Sequence, residues 1–128
     1  GSFDAVVSFS TVRYVPSPAR ALAEFRRVVR PGGRVIVDFP NRLSPWFTLI
    51  KPMTGAAPHV HDRVLTPGEA VRLMIEAELS DVRHQVLLFA PKTCPSWLFR
   101  VLGPIGAGME ATPGVRQLGG IIMTCGTR

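Results

Sequence analysis

Two short apolar runs, Phe3-Asp4-Ala5-Val6-Val7-Ser8-Phe9 and Val35-Ile36-Val37-Asp38-Phe39, bracket a segment of helical periodicity. Both runs are rich in β-branched residues, which predicts strands buried on both faces. Between them, Ser17 is placed to cap a helix and Pro18 to occupy its first turn. Leu22, Phe25 and Val29 recur at helical spacing as a buried stripe, and Arg20, Arg26, Arg27 and Arg30 cover the other side. Several of these arginines fall near the helix C-terminus, where the dipole favours cations. Pro31-Gly32-Gly33 reads as the stop of that helix, with one glycine in the left-handed cap conformation. Strand, helix and buried strand at this spacing form a βαβ unit, hence a parallel sheet.

The rest of the chain continues the α/β pattern. Pro40 to Leu65 is long and irregular, with four prolines and the apolar residues Trp46, Phe47, Leu49, Ile50 and Met53. It reads as a binding loop or lid with room for a short helix. Thr66-Pro67-Gly68-Glu69 has the spacing of a capping box, and Ala70, Leu73, Met74 and Ala77 give the helix after it an apolar stripe. Val82–Ala90 reads as a strand, Pro95–Leu102 as a short helix, Gly103–Pro113 as a glycine-rich loop, and Ile121–Gly126 as a last strand.

Composition limits the functions open to such a chain. Its 128 residues suit one domain with a modest core, and 46% apolar with 19% charged residues is ordinary for a globular protein. No apolar run approaches the roughly 20 residues that span a bilayer, and no secretory signal pattern is visible. The net charge of +6 favours anionic partners. The cations are scattered arginines, without the basic runs or interleaved aromatics of a nucleic-acid surface, so nucleic acid is not the expected partner. Cys94 and Cys125 stand far apart; they read as free thiols in a reducing, cytoplasmic compartment.

Few motifs carry chemistry. Phosphate-binding glycines follow a strand and open a helix. Pro31-Gly32-Gly33 has the reverse order, and a helix C-terminus presents carbonyls that repel phosphate. Gly103-Pro104-Ile105-Gly106-Ala107-Gly108 has the wrong spacing and no strand before it. His59-Val60-His61-Asp62 places two imidazoles together, but a metal needs a further ligand and His84 is the one remaining histidine. A substrate-facing loop is the simpler reading, and no metal is expected. Ser8-Phe9-Ser10-Thr11-Val12-Arg13-Tyr14 follows the first strand, where open α/β sheets bind ligands. It offers hydroxyls, a cation and an aromatic ring. No Ser-His-Asp order, carboxylate pair or Cys-His nucleophile stands out.

Phe3 to Asn41, "FDAVVSFSTVRYVPSPARALAEFRRVVRPGGRVIVDFPN", resembles the middle of a class I S-adenosylmethionine-dependent methyltransferase, of the type 11 or ubiquinone-menaquinone-like group. That family has an FD-x-V strand, a loop, a helix ending in L-x-PGG, and the next strand. Val29 stands here where the family has leucine. "RVLTPGEAVRLMIEAELSDVRHQVLLF" is similar to a later helix and strand, with Glu78-Leu79 in place of the usual Gly-Phe. The resemblance implies a partial Rossmann-like fold, strands 4–7 of the family with their helices, in a mixed sheet with antiparallel last strands. Residues 1–128 would be the C-terminal half of one domain, with residues 41–65 as a substrate-side insertion. The cofactor's glycine loop and ribose-binding acid would lie upstream of Gly1.

It further implies a parent enzyme that transfers a methyl group from S-adenosylmethionine to a small-molecule acceptor, and a chain inactive by itself. Ser8, Phe9 and Ser10 would line the cofactor's methionine side. Arg13, Tyr14, Asn41, His59 and His61 would face the acceptor. The rival expectation is a non-catalytic module that binds a partner or forms homo-oligomers through an exposed sheet edge.

Overall fold

The computed structural model describes residues 1–50, 63–87 and 112–128. In chain order these form β1 (Phe3–Ser8), a 3-10 turn (Val12–Tyr14), α1 (Pro18–Val28), β2 (Val29–Pro40) and a π-helical turn (Trp46–Ile50). Then follow α2 (Pro67–Glu76), β3 (Ser80–Leu87), the single-turn α3 (Pro113–Arg116) and β4 (Ile121–Thr127). The sheet order is β1-β2-β4-β3. β1 and β2 run parallel, and β4 is antiparallel to both β2 and β3. This is the mixed α/β sheet that the sequence predicts. The expected helix at Pro95–Leu102, most of the glycine-rich loop, Cys94 and residues 88–90 lie outside the described residues, whereas Cys125 is a free, half-buried thiol on β4.

Both long helices start as their sequences dictate. The Ser17 side chain accepts a hydrogen bond from the Arg20 N–H, and Pro18 opens α1. In α2 the capping box closes: Glu69 N–H donates to the Thr66 hydroxyl, and Thr66 N–H donates to Glu69 Oε2 at 2.7 Å. These bonds hold the Glu69 carboxyl below the usual carboxylate range, the backbone bond from Thr66 contributing most and the Arg42 guanidinium least.

α1 ends two residues earlier than its sequence suggests. Val29, read as the end of the helical stripe, is already extended and opens β2, though it is still fully buried. Pro31-Gly32-Gly33 therefore belongs to the strand, as a bulge. Phe3 pairs with Val29 and Ala5 with Arg34, so Asp4 alone faces four residues of β2. Gly32 does adopt the left-handed conformation, with φ +77°. At Gly33 the backbones crowd: a Cβ would strike the Val29 side chain and come within 2.7 Å of the Asp4 carbonyl. The Gly32 N–H donates to the Arg128 carbonyl and Arg128 N–H to the Gly33 carbonyl, so the bulge docks onto the end of β4. The Arg128 side chain donates to the Arg27 and Val29 carbonyls, where α1 needs partners.

α2 ends in a Schellman motif. Glu78 N–H donates to the Ile75 carbonyl and Leu79 N–H to the Met74 carbonyl. The left-handed position, which glycine usually fills, holds Glu78 at φ +56°. A side chain there costs roughly 1–2 kcal/mol. Arg26 of α1 supports it twice, with Nε donating to the Glu78 carbonyl and Nη2 lying 2.9 Å from its carboxylate.

The core lies between one face of the sheet and the two helices. Val35, Val37 and Phe39 of β2 and Ile122 of β4 are fully buried there, against Leu22 of α1 and Ala70 and Met74 of α2. Gly126 of β4 lets the Met74 side chain approach the sheet closely. The opposite face differs. Phe3 is 58% and Val7 53% exposed, so β1 is not buried on both faces, contrary to its apolar run.

Candidate functional site

Because β1 and β2 are parallel, their carboxyl ends emerge side by side. Ser8 pairs with Val37, which sets Asp38 beside the turn that follows β1. Ser10 takes φ +52° there, a left-handed conformation disfavoured for any residue with a Cβ. Its N–H donates to Asp38 Oδ1 at 2.6 Å. The Thr11 hydroxyl donates to the Phe9 carbonyl at 2.9 Å. Val12 then drops into the core at 1% exposure, so the loop is fixed at both ends. Ser8 is half-buried, while Phe9 and Ser10 face solvent.

The 3-10 turn places a cation among rings. The Arg13 guanidinium carbon lies 4.9 Å from the centroid of Tyr14 and 5.7 Å from that of Phe47, which comes from the π-helical turn after β2. Such stacking orients the planar guanidinium. Arg63 packs onto the same loop, its N–H donating to the Arg13 carbonyl and its Nη2 to the Pro16 carbonyl.

Asn41 does not join this group. It is fully buried. Its Nδ2 donates to the carbonyls of Gln117 at 2.8 Å and Gly119 at 2.7 Å, and its Oδ1 accepts from the Leu43 N–H. Both amide hydrogens are spent inside the protein, so the side chain that the sequence assigned to the acceptor is a tie between β2 and the α3–β4 turn. His59 and His61 lie outside the described residues. Among the described residues no cluster of three or more metal-ligating side chains occurs.

The structure therefore joins Ser8, Phe9, Ser10, Arg13 and Tyr14 around one strand end and adds Asp38, Phe47 and Arg63. Asp38 had a signal in the sequence: an acid inside a buried apolar strand requires a polar partner. Arg63 had none.

Comparison with known proteins gives the same frame. A family model described as a methyltransferase domain matches residues 1–37, which contain β1, the loop, α1 and most of β2. The chain is similar to the class I S-adenosylmethionine-dependent methyltransferases. A ubiquinone biosynthesis O-methyltransferase of Idiomarina loihiensis is 29% identical over 97 residues, covering 70% of this chain and 40% of that protein. The Burkholderia pseudomallei enzyme of the same name is 30% identical, over 71% of this chain and 42% of its own length. Among solved structures, a methyltransferase of Thermotoga maritima described as a possible histamine N-methyltransferase superposes with a TM-score of 0.70 at 21% identity. It covers 98% of this chain, and the match takes in 56% of that protein. An Archaeoglobus fulgidus methyltransferase gives 0.59 at 14% identity, over 99% of this chain and 60% of its own. The methyltransferase fold thus extends over nearly the whole chain, while the chain spans less than two thirds of each of these relatives.

Proposed function

We propose that this chain is the C-terminal half of an S-adenosylmethionine-dependent methyltransferase domain that acts on a small apolar or aromatic acceptor. The observation that carries it is the loop Ser8–Tyr14, built at the joined carboxyl ends of β1 and β2 inside the stretch that the family model covers. In open α/β sheets that is where ligands bind.

S-adenosylmethionine supplies a methyl group already activated on a sulfonium, so the protein's task is alignment and exclusion of water. Phe9 offers an apolar wall, and Ser8 and Ser10 offer hydroxyls to the methionine end of the cofactor. A guanidinium is repelled by a sulfonium. Arg13 therefore serves the acceptor side, with Tyr14 and Phe47 as flanking rings and His59 and His61 as further acceptor-side groups. Relatives named for ubiquinone biosynthesis agree with an aromatic acceptor. When bound, the cofactor would supply that methyl group to a lone pair of the acceptor, the carbon–sulfur bonding pair remaining on sulfur.

The half-domain reading rests on the open face of β1 and on its outer edge, which pairs with no other described strand. Calorimetry with S-adenosylhomocysteine tests it. The chain alone is expected to show no micromolar binding; a dissociation constant tighter than about 10 μM would contradict the half-domain reading. The row of Phe3, Val7 and Phe9, each more than half exposed, also favours a second reading, a module that pairs with itself or a partner. Light scattering separates the two: a monomer at high concentration removes the self-pairing module.

A further inference from the structure

Asp38 is 6% exposed and lies near the carboxyl end of β2, between the core residues Val37 and Phe39. A carboxylate taken out of water costs several kcal/mol unless strongly hydrogen-bonded. Packing alone would be served as well by an apolar side chain. Its partner among the described residues is the backbone N–H of Ser10, an exposed residue held in a left-handed conformation. A buried anion is thus spent on a strained surface turn. Hydrogen bonds from N–H to carboxylate are about twice as strong as neutral ones, enough to hold a non-glycine residue at φ +52°.

We propose that Asp38 is a positioning residue for the ligand loop: it locks the Ser10 turn and so sets the directions of Phe9, the Ser10 hydroxyl and the Arg13–Tyr14 turn. The geometry carries the proposal. Asp38 follows directly on Val37, which pairs with Ser8, and its carboxylate reaches from β2 across to the first turn beyond β1. With Val12 anchored in the core, the segment between has fixed ends and little freedom besides the peptide that Asp38 holds. The lock itself is a property of the chain; its bearing on the cofactor rests on the methyltransferase reading above.

The test uses Asp38→Ala and Asp38→Asn in the full chain. Hydrogen exchange is followed over Ser8–Tyr14 and, as a control, over α2, and the Ser10 amide proton is followed by NMR. In Asp38→Ala, exchange of the loop should rise about tenfold while α2 stays unchanged. The Ser10 amide resonance, at low field in the parent, should move upfield. Asp38→Asn keeps an oxygen for the N–H and should fall between. If Asp38→Ala does not fold, Asp38→Asn carries the test through its smaller shift. Unchanged loop exchange, or exchange raised equally in α2, overturns the proposal. In the complete parent domain, Asp38→Asn should weaken S-adenosylhomocysteine binding severalfold at an unchanged melting temperature. If the parent itself binds no S-adenosylhomocysteine, the cofactor reading fails while the loop measurements still decide the lock.

Discussion

The two faces of the sheet are made of the same kinds of residue and do different work. On the helix-covered face, Val35, Val37, Phe39 and Ile122 are sealed by Leu22, Ala70 and Met74. On the other, Phe3 and Val7 stand more than half exposed along β1. A β-branched run records that a strand meets apolar surface on both sides, but not whether the covering comes from the same stretch of chain. One face is therefore the stability of this molecule, and the other is a surface that the proposed remainder of the domain would cover.

The largest expected effect lies on the covered face. Phe39→Ala should lower stability by about 3–5 kcal/mol and Leu22→Ala by about 2–5 kcal/mol, read as shifts of the urea midpoint. Val7→Ala on the open face should stay within about 0.5 kcal/mol. Equal costs on the two faces would erase the distinction, as would a Val7→Ala effect that grows with protein concentration, since that reports self-association.

A middle-sized effect tests what holds the helices over their face. Thr66→Ala removes the α2 cap and should cost about 1 kcal/mol. Because the folded Glu69 carboxyl titrates below its ordinary value of 4.5, its stabilisation is present above that pH and lost as pH falls through the lower folded value. Wild type should thus lose more stability than Glu69→Gln on acidification below about pH 4.5, followed by helix circular dichroism. Parallel pH profiles would remove the capping box from the account.

The smallest expected effect is at Glu78. Glu78→Gly relieves the left-handed strain but removes the carboxylate that pairs with Arg26. The two changes oppose one another, so the midpoint should move by only about 0.5 kcal/mol either way. Arg26→Ala alone should destabilise, and in the Glu78→Gly background it should cost less.

Much of this was legible in the sequence, because helix caps and strand runs are local. Ser17-Pro18, Thr66-Pro67-Gly68-Glu69 and Val35–Phe39 act through neighbours a few residues away and land where their pattern places them. The strand-end loop was legible, and Ser8, Phe9, Ser10, Arg13 and Tyr14 lie together along it. What could not be read depends on register. Pro31-Gly32-Gly33 became a bulge because β2 begins early and Arg128 arrives from the other end of the chain. Asn41 turned inward because Gln117 and Gly119 present carbonyls to it from about eighty positions away. Asp38 gained its role from a parallel neighbour, which a single strand cannot announce.

The tie at Asn41 has a further consequence. Leu65 N–H donates to the Pro40 carbonyl and Arg42 N–H to the Leu65 carbonyl, so the chain leaves the sheet after β2 and returns, before α2, to the same point. The stretch between is a cassette with a closed base. Because closing a loop grows costlier only slowly with its length, residues can be added between its two ends while the sheet and both helices keep their places. A scaffold closed at this base can vary the stretch it carries without relearning how to fold.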